Sequence, residues 1–296
     1  MIKVIVIAGA TGVGKTELSI KLAKMFNGEI INADASQFRK NLNIGTAKIK
    51  EEEKEGVIHH LFDFLDECDN FSIKEYQTTA RAKIGEISKK GKVPIIVGGS
   101  GLYIDALLND YDLSGPSNDY IDSEKEYGIY SNEELFKVLE DINPEYASHT
   151  HPNNRKRVIR YIQKAKDGFE FENSKPSKHY DYLMLFLNRE RVELYERINK
   201  RTLLMMENGW IDEVKELRER NVDINLIKEI GYKEINNYLD GLLSYDEMID
   251  IIQKQTRHYA KRQITWFKNK SDSIVVDANN IDLEYIKGLI DEHFDK

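Results

Sequence analysis

The chain has 296 residues, 41% of them hydrophobic and 32% charged, with a net charge of −8. That balance excludes a disordered or fibrous protein and suits one or two globular domains. Cys68 is the lone cysteine, which excludes an internal disulfide or a four-cysteine zinc site and fits a reducing compartment.

The elements follow in order. Lys3–Ala8 is apolar and β-branched and predicts a buried strand. The apolar start Ile2–Ala8 is too short for a signal peptide, and no later run reaches membrane-spanning length. A cytosolic location without membrane contact is therefore expected. Gly9-Ala10-Thr11-Gly12-Val13-Gly14-Lys15-Thr16 follows as a complete P-loop, and Glu17–Phe26 continues with helical periodicity. In such a loop the backbone N–H groups converge on phosphate oxygens, Lys15 supplies charge and Thr16 a ligand for Mg²⁺. The pattern by itself leaves open which phosphorylated ligand is held.

Glu29–Asn32 predicts a second strand, and a helix over Ile73–Lys90 stops at Gly91. Val93–Val97 is a third buried strand and runs into Gly98-Gly99-Ser100-Gly101. Residues 112–179 are polar and hold helices at Asn132–Ile142 and Asn153–Asp167. Tyr182–Leu187 is a fourth strand, with helices after it at Arg189–Asn208, Trp210–Arg220 and Tyr245–Lys270. The reading is an α/β protein with a P-loop NTPase-like parallel sheet core flanked by helices. Residues 1–111 and 180–296 form that core, and 112–179 form a small helical insertion domain.

Candidate chemistry gathers at the strand ends. Asp34 follows strand two on the ligand side of the sheet. It can ligate Mg²⁺, act as a general base, or simply cap a turn. Ser100 can donate to a phosphate or bridging oxygen. Strand three ends in Gly-Gly rather than a Walker B acid, which weakens an ATPase reading. His59-His60 and His149/His151 lack a third spaced ligand and read as hydrogen-bonding or surface histidines.

Charge is unevenly spread. Residues 1–149 hold 17 basic and 25 acidic side chains, residues 150–270 hold 24 and 19, and residues 271–296 hold 2 and 7. Arg157, Arg160 and Lys164 share one helical face. Lys254, Arg257, Lys261 and Lys268 share another, opposite Ile252, Tyr259 and Trp266 on an expected core side. Residues 251–270 contain no acid, which favours contact with RNA or polyphosphate over a plain solvated face.

Taken together the motifs resemble the bacterial tRNA dimethylallyltransferases (tRNA isopentenyltransferases) over nearly the whole length. The resemblance rests on Gly9–Thr16, Asp34-Ala35-Ser36-Gln37, Asn43–Lys48, His59-His60-Leu61 and Gly98–Tyr103. It continues through His151-Pro152-Asn153 with Arg157 and Arg160, Ile230-Gly231-Tyr232, and Ala260–Trp266. It implies transfer of a dimethylallyl group from dimethylallyl diphosphate to N6 of adenosine 37 in tRNA. The P-loop, Gly9 to Thr16, would hold the diphosphate, with Lys15 and Mg²⁺ on Thr16 stabilising charge. Asp34 would take the amine proton, and Ser100 would bond near the leaving oxygen. Ala35, Ser36 and Gln37 would line the base pocket, and the base would be flipped out of the anticodon loop. Lys156, Arg157 and Arg160 would grip tRNA, with Arg257 and Lys261 as further phosphate contacts. Lys228 stands where some relatives carry a diphosphate-binding Arg. A monomer is expected. Ala35, Phe38, Asn43 and Asn154 depart from the usual Ser, Tyr, Asp and Asp, and segment 112–150 is short for the family. A small-metabolite P-loop kinase and a non-catalytic RNA-binding module are the rival readings.

Overall fold

The protein is described from a computed structural model covering residues 1–111, 113, 126–169, 177–270 and 272–295. It divides into two units, Met1–Asp110 with Lys178–Lys296, and Tyr111–Ser177. Parts of the expected insertion, 112, 114–125 and 170–176, lie outside the described residues.

The larger unit is built on a six-stranded, wholly parallel sheet in the order β3-β2-β4-β1-β5-β6. The strands are β1 Lys3–Gly9, β2 Gly28–Asn32, β3 His59–His60, β4 Val93–Gly98, β5 Asp181–Asn188 and β6 Ser273–Asp277. β1 is central because Val4 to Ala8 are wholly buried, and its two faces feed different cores. Ile5 and Ile7 pack with Leu18 and Leu22 of α1 (Lys15–Met25). Val4 and Val6 pack with Ile84 of α2 (Ile73–Lys89) and Ile104 of α3 (Gly101–Leu108). Each buried Val or Ile contributes roughly 1.5–3 kcal/mol. An unbroken apolar run is what a parallel strand covered on both faces requires. α2 starts on a capping box, with Ser72 accepting from Glu75 N and Glu75 accepting from Ser72 N.

The smaller unit holds α4 (Asn132–Ile142), α5 (Pro144–Ser148) and α6 (Arg155–Lys166). Leu135, Leu139, Val158, Ile159 and Ile162 form a core of its own.

The remaining helices of the larger unit are α7 (Arg191–Glu207), α8 (Trp210–Glu219), α9 (Tyr232–Leu239), α10 (Tyr245–Lys268) and α11 (Leu283–Phe294). Six of the described strands and helices go beyond the expected set: β3, β6, α3, α5, α9 and α11. β3 has two residues, and β6 is a half-exposed edge strand, so neither carries a strong period. One expectation on α10 needs correction. Trp266 is 38% exposed, and the buried positions there are Ala260, Gln263 and Phe267. The indole lies instead over Gly101, where a Cβ would meet its ring at 2.3 Å.

Candidate active site

β1 delivers the chain to the P-loop at the carboxyl edge of the sheet. Gly14 caps α1 with φ 113°, a conformation that only glycine adopts without strain. Lys15 Nζ donates to the carbonyls of Gly9 and Ala10 at 2.9 Å each, which holds the ammonium over the loop. Burial pushes Lys15 down to about 8. Asp34 opposes that shift, and Arg201 adds to it.

β2 leads to Asp34. Its Oδ1 accepts from Ser36 N at 3.3 Å and Ser36 Oγ at 2.7 Å, capping the 3-10 turn Ala35–Phe38. Asp34 also lines the main crevice, so capping the turn leaves its carboxylate at that space. Gln37 Nε2 donates to the carbonyls of Thr46 (3.1 Å) and Ala47 (3.3 Å). That loop is fixed in turn by Glu213, which accepts from Asn43 N, Ile44 N and Gly45 N at 2.8, 2.7 and 3.2 Å. Tyr232 Oη donates to the same carboxylate at 2.6 Å. Phe38, lacking the usual tyrosine hydroxyl, is buried among Phe64, Phe71, Tyr76 and Tyr103, where no polar partner is needed.

Three contributors escape sequence reasoning. The first is a pair of arginines on α7. Arg201 donates to Thr11 Oγ1 at 3.2 Å, and Arg197 Nε donates to the Gly12 carbonyl at 3.1 Å. Burial lowers Arg201, and Asp34 holds it up. Their i, i+4 spacing was the available signal, masked by Glu193 and Glu196 in the same helix. The second is Gln263, 4% exposed. It accepts from Thr11 N at 2.9 Å and donates to the Gly99 carbonyl at 3.0 Å, tying the P-loop to the end of β4. A side chain at Gly99 would collide with that amide at 2.1 Å. The third is Tyr259, which lines the crevice and bonds Ser100 and Gln263. Burial first and Asp34 second push its hydroxyl up, so it stays neutral.

The crevice encloses about 1040 Å³ and brings together Thr11 to Thr16, Asp34 to Gln37, Lys228, Arg197 and Arg201. Gly9 and Ala10 form the base of the loop behind it. Ser100 does not line it. Its Oγ accepts from Ala35 N at 3.2 Å and bonds Tyr259, so the hydroxyl braces the site from behind. Lys228 is exposed and donates to Asn70 Oδ1 at 3.0 Å. Arg257 leaves the expected cationic face, because its guanidinium bonds Asn199 Oδ1 at 2.6 Å. Lys261 is exposed and lines a different cavity. Lys156, Arg157 and Arg160 stand exposed on α6 of the smaller unit, where Arg157 lies over the Tyr161 ring at 5.3 Å. His60 bonds Glu29 Oε2 at 2.6 Å, and His59 lies 2.9 Å from the Val57 carbonyl.

Among the described residues no group of three or more His, Cys, Asp or Glu could hold a metal ion. The crevice instead offers the Thr16 hydroxyl and the Asp34 carboxylate, an all-oxygen pair. Mg²⁺ accepts such a sparse set, because it keeps several waters and takes phosphate oxygens for the rest. No described helix is long and apolar enough to cross a membrane.

A glycine loop, a half-buried lysine and two arginines at the carboxyl edge of a parallel sheet define a P-loop protein of the phosphate-binding α/β class. Residues 37–270 match the family model described as IPP transferase, and the chain belongs to that family. It is 44% identical to a tRNA dimethylallyltransferase of Anoxybacillus flavithermus, over 97% of this chain and 96% of the relative. It is 42% identical to that of Bacillus subtilis, over 98% and 96%. The structure is similar to the full-length tRNA isopentenylpyrophosphate transferase of Bacillus halodurans, with TM-score 0.75, 38% identity, and 99% and 98% of the chains covered. It is also similar to a eukaryotic dimethylallyltransferase acting on tRNA, with TM-score 0.82, 30% identity, and 98% and 78% covered.

Proposed function

We propose that this protein transfers the dimethylallyl group of dimethylallyl diphosphate to N6 of adenosine 37 in tRNA, releasing diphosphate. One observation carries the reading. A carboxylate, Asp34, faces the same crevice as a half-buried lysine and two arginines, and no acid closes β4 in the manner of an ATPase. The relatives at 40–44% identity, all named tRNA dimethylallyltransferase, support the same conclusion.

In the reaction the C1–O bond to diphosphate breaks and the N6–C1 bond forms. The N6 proton goes to Asp34, and its Oδ2 suits that task because Oδ1 is engaged by Ser36. Lys15, Arg201 and Arg197 balance charge on the departing diphosphate. Thr16 would hold Mg²⁺, which when bound would screen the diphosphate charge. Gln37, held by the Thr46 and Ala47 carbonyls, would border the extruded base. Lys228 would add charge at the crevice rim. Lys156, Arg157, Arg160 and Lys261 would contact tRNA phosphates. The protein would act as a monomer in the cytosol, where tRNA is found.

A competition assay tests this. Protein, Mg²⁺ and unmodified tRNA are given dimethylallyl diphosphate or ATP. Prenylated adenosine from the first, with no ATP turnover, is expected. ATP-dependent phosphorylation of a metabolite without prenylation would establish the kinase reading instead.

A further inference from the structure

A second cavity, of about 430 Å³, opens outside the active crevice. Its walls are the end of β5 with the start of α7 on one side and α10 on the other. Arg189 and Arg191 contribute from the first wall, and Lys261, Thr265 and Lys268 from the second. The single acid is Glu190.

Three of the four cations are unspent. Among the described residues no carboxylate pairs with Arg191, Lys261 or Lys268, and all three are exposed. Arg189 differs. Its side chain is 10% exposed, and it bonds Glu193, Asn279 and the Ala278 carbonyl, while its buried Nε has no partner. α7 also begins without a side-chain cap, so its first-turn N–H groups add partial positive charge at this wall. Lys261, Thr265 and Lys268 sit at i, i+4 and i+7, one face of α10. Four cations against a single acid leave an excess of positive charge, which is the arrangement a polyanion stabilises.

We propose that this cavity is a docking site for the sugar-phosphate backbone of RNA, apart from the site that holds the diphosphate. The inference rests on the tRNA reading above. The two helices that carry Arg197, Arg201 and Tyr259 to the crevice also build this cavity with their other turns. The crevice and the cavity therefore share two walls, which would let one long polyanion reach both. The Thr265 hydroxyl donates to the Lys261 carbonyl at 3.0 Å, so the cations are the groups that would meet phosphate.

The test uses the full-length protein and a double variant, Arg191→Gln with Lys268→Gln. Both positions are exposed and unpaired, so the fold should persist, as a melting curve checks. A second double variant, Lys74→Gln with Lys89→Gln on exposed sites of α2, removes the same charge elsewhere. Affinity for unmodified full-length tRNA is measured against salt, and affinity for inorganic diphosphate is measured separately. The slope of log affinity against log salt should flatten by about 1.5 in the first variant, two contacts' worth. The second variant should match the wild type. Equal slopes in all three proteins overturn the inference, as does an equal flattening in both variants. Weakened diphosphate binding with an unchanged tRNA slope also overturns it, making the cavity a small-anion site. A wild-type protein that binds tRNA without prenylating it removes the proposed reaction but leaves this docking site standing.

Discussion

At the scale of single residues, the proposed chemistry rests on Asp34 and Lys15, and Asp34 has a second job. Asp34 caps its own turn, so Asp34→Ala removes a base and a cap at once. Asp34→Asn keeps an acceptor for Ser36 N and loses only the base. Turnover should fall roughly 10²–10⁴-fold in the Asn variant, with tRNA affinity and melting temperature held. A matching loss of stability would mark Asp34 as structural. Lys15 titrates near 8 because of burial, so it loses its charge as pH rises through that value. Diphosphate affinity should therefore be sustained below about pH 8 and weaken above it. In Lys15→Arg, whose charge does not titrate, that break should vanish, and calorimetry across pH 7–10 reads it. Arg201→Gln should weaken diphosphate binding about 10-fold or more, since it removes a half-buried cation aimed at the loop.

At the scale of elements, the carboxyl edge of the sheet is braced by α10. Gln263→Ala would leave the Thr11 N–H and the Gly99 carbonyl without their partner. An unsatisfied buried group costs about 1–3 kcal/mol, and the Thr11 N–H is only part-buried. Urea unfolding should show a loss of about 2–4 kcal/mol, and diphosphate should restore part of it by binding the native state. The sequence announced the elements whose physics is local. β1 and β4 are unbroken apolar runs, the P-loop has fixed spacing, and Asn132–Ile142 is bounded as expected. It was silent where partners are distant. Nothing near residue 263 says that its amide will meet Thr11 and Gly99, more than 160 positions earlier. The reversal at Trp266 has a similar cause. A seven-residue spacing with Tyr259 reads as a core stripe, yet the indole covers Gly101 while Phe267 takes the buried position. Ser100 likewise reads as a crevice hydroxyl and is drawn behind it by Ala35 and Tyr259.

At the scale of the whole molecule, two units with separate cores share one chain. The smaller unit leaves and rejoins the larger at neighbouring points, since Asn109 and Lys178 form an antiparallel bridge. Replacing residues 111–177 by a short glycine-serine linker should therefore leave the larger unit folded and able to bind diphosphate. Loss of tRNA affinity is expected with it, because Lys156, Arg157 and Arg160 go too; a fold that collapses would show the cores to be interdependent. The acid-rich residues 1–149 and the basic stretch 150–270 fit one enzyme, with a small charged donor held by the loop and a polyanion met by the helices. The most direct test is mass analysis of tRNA digested after incubation with dimethylallyl diphosphate and Mg²⁺. One dimethylallyl group per tRNA, on the adenosine beside the anticodon, with one diphosphate released, is the predicted result. Diphosphate release without a prenylated nucleoside, or a tRNA unchanged by active wild-type protein, would contradict it.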